Sequence, residues 1–433
     1  MKKQYAILGL MLVCFQFVNA QFTLDGQFRP RTEYRNGYQS LIPEGADAGF
    51  AINTRVRLNA GYQTDLFKVY LSIQDLLVWG ENPQIIPVDA NNSFAVFEAW
   101  ASLKLTDNSG LKIGRQVLSY DDQRFFGGLD WAQQGRNHDL AMYQYRSGSF
   151  MLDFGLAFNQ DFDNNGGPLF GFQNVGTAYP AGNPFQYKSM QYLYAKETWG
   201  GFNASLLLVN YSHQNFDTTG ATPVADGVNS LFTAGTHLNY KKGKFGLAGN
   251  AFLQTGTFFN GSTDVGGAYL LSLDASYKAS AKVGLGAGIE VISGNDTATT
   301  DKTEAFLPTF GTNHKFNGFM DYFYVANHVN TIGLVDIHAS ANFKLGATSS
   351  LMVKALNFSG EQALASGEKS LGTEIDVVFS KKFKGYALKV GYSQMFASDG
   401  LYELKGVSEA AAKDTQNWAW AMLVIKPKFL TGK

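Results

Sequence analysis

The chain has 433 residues, a net charge of −1 and a single cysteine, Cys14. The balanced charge gives no reason to expect nucleic-acid binding, and one cysteine excludes a disulfide within the chain. Aromatic residues make up 14 % of the chain, and charged residues only 16 % against about 25 % in soluble domains. With a mean hydropathy of −0.13, this composition favours a transmembrane β-barrel over a bundle of apolar helices.

The N-terminus has the pattern of a secretory signal peptide. A short basic start is followed by an apolar run and by small residues just before Gln21. This pattern predicts a signal peptide over residues 1–20 and one outer-membrane β-barrel domain over residues 21–433. Cys14 lies inside the signal peptide, so the mature chain would have no thiol and no thiolate metal site.

From Gln21 onward, apolar and polar residues alternate with a period of two, which is the pattern of half-buried strands. In the first predicted strand, Phe22 and Phe28 share one face, and Arg29 and Arg31 share the other. Most predicted strands have about 10 to 13 residues, close to the length that a tilted strand needs to cross a bilayer. The predicted strands cover 22–35, 53–64, 66–78, 94–106, 110–119, 138–147, 150–160, 187–197, 201–211, 230–242, 244–256, 268–280, 282–293, 333–345, 348–359, 370–382, 384–396 and 415–429.

Short and long connections alternate between these strands, as in outer-membrane barrels with short periplasmic turns and long extracellular loops. The sequence therefore predicts an all-β fold, a transmembrane antiparallel up-and-down β-barrel of about 18 strands. Barrels of 16 to 18 strands enclose an aqueous channel, which the polar face of each strand would line. We expect a protein of the bacterial outer membrane, with no cofactor and no metal ion.

All nine arginines precede residue 147. Arginine on the lipid face near the bilayer midplane costs about 2–4 kcal/mol, so Arg29, Arg31, Arg55 and Arg57 are expected to face the lumen. Because sequential strands are neighbours, these four would form one basic patch on one wall. Arg115 shares its strand face with apolar residues, so either a bulge shifts the register or Arg115 lies at the rim.

The segment 110–139 begins as a strand and then becomes dense in charged and aromatic residues. Guanidinium groups present a planar fork of donors that suits carboxylates. Arg136 is one of the arginines of this segment that we expect along the solute path, and Asp122 and Asp130 are candidate countercharges to the arginines.

Four segments resemble one known family: GRQVLSYDDQRFFGGLDW, the opening RPRTEYRNGY, GTNHKFNGFMDYFY at 311–324 and the closing NWAWAMLVIKPKF. They are similar to the alginate-export family of outer-membrane barrels, in its Bacteroidetes form, over essentially the whole mature chain. The resemblance implies an eighteen-stranded monomer that passes an acidic polysaccharide through an arginine-rich constriction. By motif match it assigns Arg115, Arg124, Asp122 and Asp130 to that path, where an electropositive patch would select anionic sugars.

Two other motifs allow alternatives. Residues 161–172 begin like a calcium loop, but Phe172 stands where a bidentate acid is required, so we expect a plain acidic loop. The aromatic segment 315–324 could form a lid over the mouth or stack on sugar rings. We expect it instead to pack at the membrane boundary, together with Trp418 and Trp420.

Three functions remain open at this stage. The leading hypothesis is a channel for hydrophilic, anionic solutes such as acidic saccharides, acting without chemistry. The second is a general diffusion porin with a weak anion preference. The third is an outer-membrane enzyme or adhesin; the sequence has no G-x-S-x-G or H-E-x-x-H motif, and its six histidines are scattered singly.

Overall fold

The structure, a computed structural model, describes residues 21–85, 93–160, 179, 183–217, 219–220, 224–296 and 302–432. The predicted signal peptide over residues 1–20 lies outside this part of the chain. So does the whole calcium-like loop over residues 161–172. In the described residues, no helix combines the length and apolarity needed to cross a membrane.

Strands dominate the described chain, and helices are short. The strands are β1 (Gln21–Asn36), β2 (Gly49–Gln63), β3 (Phe67–Val78), β4 (Ala95–Lys104), β5 (Ser109–Gln116), β6 (His138–Ser147), β7 (Phe150–Phe158), β8 (Ser189–Trp199), β9 (Phe202–Asp217), β10 (Val224–Lys242), β11 (Phe245–Thr257), β12 (Asp264–Lys278), β13 (Val283–Ile292), β14 (Lys302–Thr303), β15 (Leu334–Lys344), β16 (Ser349–Ser359), β17 (Ser370–Lys382), β18 (Tyr386–Ala397), β19 (Gln416–Ile425) and β20 (Lys428–Thr431). The described residues also include an α-helix, α1 (Asp399–Lys405), and 3-10 turns at Asn313–Lys315, Val325–Asn327 and Glu409–Ala411.

The long strands pair antiparallel with their neighbours in sequence, and β1 closes the sheet by pairing with β19. Short β20 continues β19 along the same edge of β1, after a break at Pro427. Proline has no N–H to donate to a ladder, which accounts for the break. Counting β19 and β20 as one and leaving out two-residue β14, the described chain forms a closed barrel of eighteen strands, as predicted.

The alternation seen in the sequence separates an outer apolar face from an inner polar face. On β12, Leu271 and Leu273 point outward and are 48 % and 56 % exposed. On β2, Arg55 points inward and is 0 % exposed. The outer belt of large apolar side chains continues around the barrel, and its natural surroundings are lipid.

An arginine placed in this belt should destabilise the barrel. We expect Leu273→Arg, near the middle of the outer face of β12, to lower the free energy of unfolding by about 2–4 kcal/mol. Urea unfolding in lipid vesicles measures the change. Leu273→Met is the matched control and should cost less than about 1.5 kcal/mol. An arginine variant as stable as the methionine variant would show that this face does not contact lipid.

Two long connections fold into the barrel instead of extending away from it. We call residues 117–137, between β5 and β6, the first inner loop, and residues 304–333, before β15, the second inner loop. They meet at Phe126 and Phe310, whose rings stack with centroids 5.6 Å apart. Tyr192 and Tyr211, on inner strand faces, pack around this pair. Part of the lumen is therefore filled by an aromatic core.

The expectation for the aromatic residues at the membrane boundary was wrong. Trp418 and Trp420 are 0 % and 6 % exposed and pack inside the barrel against Trp131 of the first inner loop. In the second inner loop, Met320 and Tyr322 are likewise fully buried. The inner loops supply enough apolar surface to cover aromatic side chains on inward strand positions, which strand alternation alone does not reveal.

Candidate functional site

Three arginines from the first two strands converge on one carboxylate of the first inner loop. The guanidinium of Arg55 lies 2.7 Å from Asp130, and those of Arg29 and Arg57 lie 3.5 Å and 3.6 Å from it. Arg29 and Arg55 are direct partners across β1 and β2, so the strand register places both on the inner face at the same height. The basic patch predicted on one wall is therefore present in the barrel interior.

The first inner loop occupies many of the donors of this patch. Arg29 donates to the carbonyl of Asp130 at 2.6 Å and to the side-chain oxygen of Gln133 at 2.7 Å. Arg55 donates to the carbonyl of Gln133 at 3.1 Å and to the side chain of Gln27 at 2.5 Å. These two arginines consequently hold the loop against the wall as well as contributing charge.

Further along β1, two more arginines flank Glu33. Arg31 and Arg35 lie 3.2 Å and 3.0 Å from that carboxylate. The guanidinium of Arg31 also stacks over the ring of Trp131, 4.6 Å from its centroid. The Arg35 side chain is 42 % exposed, so its charge faces open space in the lumen.

Two cavities lie along this wall, one on each side of Arg29 and Arg55. The cavity on the long-loop side has a volume of about 400 Å³ and is lined by Arg31 and Asn53. The cavity on the short-turn side has a volume of about 340 Å³ and is lined by Gln27 and Arg57. Because Arg29 lies between Gln27 and Arg31 on β1, and Arg55 lies between Asn53 and Arg57 on β2, both arginines lie between the two cavities. They are 3 % and 0 % exposed, so little open space remains beside them, and we call this position the narrow point.

The narrow point carries net positive charge. Burial alone would raise the pKa of Asp130, but the charges of Arg55 and Arg29 outweigh it and hold that pKa below its usual value. Asp130 is therefore ionised at neutral pH, and three guanidinium groups face one carboxylate. Fixed charges in a constriction act on a passing ion over a short distance, where screening by salt is weak.

Arg124 lies elsewhere in the lumen, where it joins the first inner loop to β13 and to the second inner loop. Its guanidinium forms a two-point ion pair with Glu290 of β13, at 2.5 Å and 2.7 Å, and also donates to Asn313 and Asn317 of the second inner loop. Arg124 and Glu290 are both buried. Asp122, close by, accepts a hydrogen bond of 2.7 Å from Asn250 of β11. Arg124 and Asp122, both predicted to line the solute path, therefore lie apart from the inward arginines of β1 and β2. We call those arginines, with the residues that contact them, the arginine wall.

Arg136 and Arg115 do not face the cavities of the arginine wall. Arg136 links the two inner loops by donating to the carbonyl of Gly311 at 2.9 Å. Arg115 lies on the same face of β5 as Ile113, which is 46 % exposed on the outer surface of the barrel. Its guanidinium donates two hydrogen bonds of 2.8 Å to Asp139. β5 ends at the next residue, Gln116, so Arg115 lies at the rim of the barrel, as one of the two alternatives predicted. Its side chain faces outward, and the prediction that Arg115 lines the solute path is therefore wrong.

Several residues of the arginine wall were not predicted as site residues. Glu33 and Arg35 share the polar face of β1, so the alternation that identified Arg29 and Arg31 could have identified them too. Gln133 carries no comparable signal, nor does Tyr38, whose ring lies beneath the Arg35 guanidinium, 4.8 Å from it. The positions of both depend on how loops fold inside the barrel. Within the described residues, no group of three or more His, Cys, Asp or Glu is arranged to bind a metal ion.

The second inner loop contains a histidine, His328, that is held by a backbone carbonyl of the same loop. The ring of His328 donates to the carbonyl of Gly333 at 2.9 Å. Burial lowers the pKa of His328 to about 4; the Gly333 contact opposes this shift and the charge of Lys405 adds to it. A histidine with a lowered pKa stabilises the docked loop at neutral pH, and this stability is lost as the pH falls from about 6.5 towards 4.

We expect the second inner loop to open more readily in mild acid. Protonation of His328 should cost about 1–2 kcal/mol of docking free energy at pH 5 relative to pH 7.5. Hydrogen exchange of residues 319–333 at both pH values, corrected for intrinsic rates, measures it. In His328→Gln the extra acid sensitivity should disappear, because glutamine donates a similar hydrogen bond without titrating. An identical pH response in both proteins would contradict the assignment.

No family model matches the sequence, and no curated protein matches it. Among solved structures, the outer membrane protein OpdK of Pseudomonas aeruginosa superposes with a TM-score of 0.61 at 12 % identity, over 95 % of this chain and 99 % of that one. OccAB4 of Acinetobacter baumannii gives 0.63 at 12 % identity, over 96 % and 99 % of the two chains. OccK9 (OpdG) of P. aeruginosa gives 0.59 at 12 % identity, over 94 % and 98 %.

These likenesses establish the architecture at nearly full length. The chain has the same fold as these outer-membrane proteins, a closed antiparallel β-barrel of eighteen strands. Together with its apolar outer belt, this architecture places the protein in the bacterial outer membrane.

Proposed function

We propose that this protein is a channel for small hydrophilic solutes that favours anions, among them acidic saccharides. The observation that carries the proposal is the narrow point between the two cavities, where Arg29, Arg55 and Arg57 surround Asp130. A carboxylate or sulfate group passing there would meet an excess of guanidinium donors. The sequence resemblance to alginate exporters supports the saccharide class, and the shared architecture with OpdK supports a channel.

One observation favours a second candidate, a general diffusion porin with weak anion preference. Arg29 and Arg55 already donate to Asp130, Gln27 and Gln133, so fewer donors remain for a solute. Their charge would still attract anions, but without the directed hydrogen bonds that distinguish one anion from another.

We also propose that transport proceeds without covalent chemistry. A hydrolase of the serine type needs a histidine ring within reach of a nucleophile. In the described part of the chain, the six histidine rings hydrogen-bond to tyrosine, asparagine, carboxylate or carbonyl partners, and none to a serine or threonine hydroxyl.

Block of single-channel current by oligosaccharides of graded charge distinguishes the first two candidates. For a channel that recognises acidic saccharides, an acidic hexasaccharide should block at a concentration about tenfold or more below that of a neutral one of equal length. Equal block by both would favour the general porin. Cleavage of lipid or sugar by a protein that gives no current would favour an enzyme.

A further inference from the structure

A shallow apolar groove lies on the outer face of β10 to β13, at the short-turn end of the barrel. Its volume is about 470 Å³. Ala275 and Ala287, which are direct partners across β12 and β13, form its floor. Larger outward side chains such as Leu247 and Leu285 rise on either side, so the paired alanines leave a depression in the apolar belt.

Aromatic side chains mark the end of the groove nearest the turns. Phe245 and Tyr277 lie side by side with ring centroids 4.7 Å apart, and Tyr240 lines the same groove. Aromatic rings of this kind gather at the boundary between membrane and water. The groove therefore runs from the headgroup level into the hydrocarbon region.

The turns beside the groove carry only positive charge. Segments 239–246, 276–284 and 342–350 contain no aspartate or glutamate. Their exposed lysines are Lys241, Lys242, Lys244, Lys278, Lys282 and Lys344. Backbone hydrogen bonds of 2.8 Å join Lys278 to Lys244 and Lys344 to Lys282, so these lysines are neighbours across adjacent turns. We call this group the lysine rim.

The lysine rim differs from the turns on the opposite side of the barrel. There, Asp65 and Asp107 accompany the lysines, and Lys104 pairs with Asp107 at 2.6 Å. In the described residues, no carboxylate forms an ion pair with a lysine of the lysine rim. The lysine rim therefore lies on the turns that join the strands of the apolar groove.

We propose that the groove and the lysine rim bind one anionic glycerophospholipid from the inner leaflet of the outer membrane. The ammonium groups of Lys242, Lys244 and Lys282, which lie on the turns or at an outward strand position, would contact the phosphate, and an acyl chain would lie on Ala275 and Ala287. A lysine rim attracts an anionic headgroup more strongly than a zwitterionic one, whose own amine opposes the contact. This inference does not depend on which solute the channel carries.

Native mass spectrometry of the full-length barrel in detergent tests the charge requirement. The probes are phosphatidylglycerol and phosphatidylcholine with identical acyl chains. We expect one phosphatidylglycerol to be retained at an activation energy that removes phosphatidylcholine. Substituting three rim lysines should weaken phosphatidylglycerol binding about tenfold or more. The variant combines Lys242→Gln, Lys244→Gln and Lys282→Gln.

A matched triple variant controls for the loss of three exposed lysines elsewhere. It combines Lys104→Gln, Lys302→Gln and Lys369→Gln, all outside the lysine rim, and should bind phosphatidylglycerol as the unchanged protein does. Equal weakening in both triple variants would overturn the proposal, because only the total charge would then matter. Equal retention of the two lipids by the unchanged protein would overturn it as well.

A further variant tests the groove without altering charge. Ala287→Phe should fill the floor and weaken phosphatidylglycerol binding about tenfold, while heat-modifiable migration on gels shows that the barrel is folded. Unchanged binding in Ala287→Phe would overturn the role of the groove, and the lysine triple variant tests the rim independently of this substitution.

Discussion

Replacing Arg124 with alanine should be the most destabilising single change in the lumen. The substitution removes both hydrogen bonds to Glu290 and leaves that carboxylate buried without its partner. Breaking a buried ion pair by removing one member costs about 3–5 kcal/mol. The same change releases Asn313 and Asn317, so the two inner loops lose a common anchor. Urea unfolding in lipid vesicles measures the loss.

Two further variants show whether the loss of stability comes from leaving the Glu290 carboxylate buried and unpaired. Adding Glu290→Gln to Arg124→Ala removes the unpaired charge and should recover part of the stability. Arg115→Ala is the matched control, because the Arg115–Asp139 pair is exposed on both sides. An exposed pair contributes about 0–1 kcal/mol. A loss below about 1 kcal/mol in Arg124→Ala would show that Arg124 does not hold the interior together.

The largest effect on transport should come from Arg55→Ala combined with Arg57→Ala. This double variant leaves Arg29 alone beside Asp130, so the excess of positive charge at the narrow point disappears. We expect the ratio of chloride to potassium permeability, obtained from reversal potentials in a salt gradient, to fall severalfold. Because Arg55 also holds the first inner loop, single-channel conductance should rise at the same time.

The opposite change at the same site should have the opposite result. Asp130→Asn removes the carboxylate that pairs with the three arginines and should increase the preference for chloride. Arg115→Ala changes one arginine on the outer surface and should leave selectivity unaltered. If the double arginine variant kept the selectivity of the unchanged protein, the narrow point would not be where ions are selected.

Much of the barrel could be predicted because strand alternation is a local property of the sequence. The inward positions of Arg29, Arg31, Arg55 and Arg57 follow from the cost of exposing arginine to lipid. Strand limits agree closely in several cases; β17, for example, covers Ser370–Lys382 as predicted. β10 begins earlier than expected, at Val224, because its first residues pair with the end of β9 across a register shift.

The interior could not be predicted in the same way. The contacts of Arg124 with Glu290 and of Phe126 with Phe310 join residues more than 150 positions apart, and no local pattern links them. A long connection looks the same in sequence whether it extends outward or folds inward. Arg124 and Arg136 were expected to line the solute path. Because the first inner loop folds inward, they instead hold the two inner loops together and do not face the cavities of the arginine wall.

Single-channel recording of the unchanged protein in a planar bilayer tests the central claim most directly. A water-filled path along the arginine wall predicts discrete conductance steps and, in a potassium chloride gradient, a reversal potential of the sign that favours chloride. Folded barrels that insert without steps of current, or that give a reversal potential favouring potassium, would contradict it.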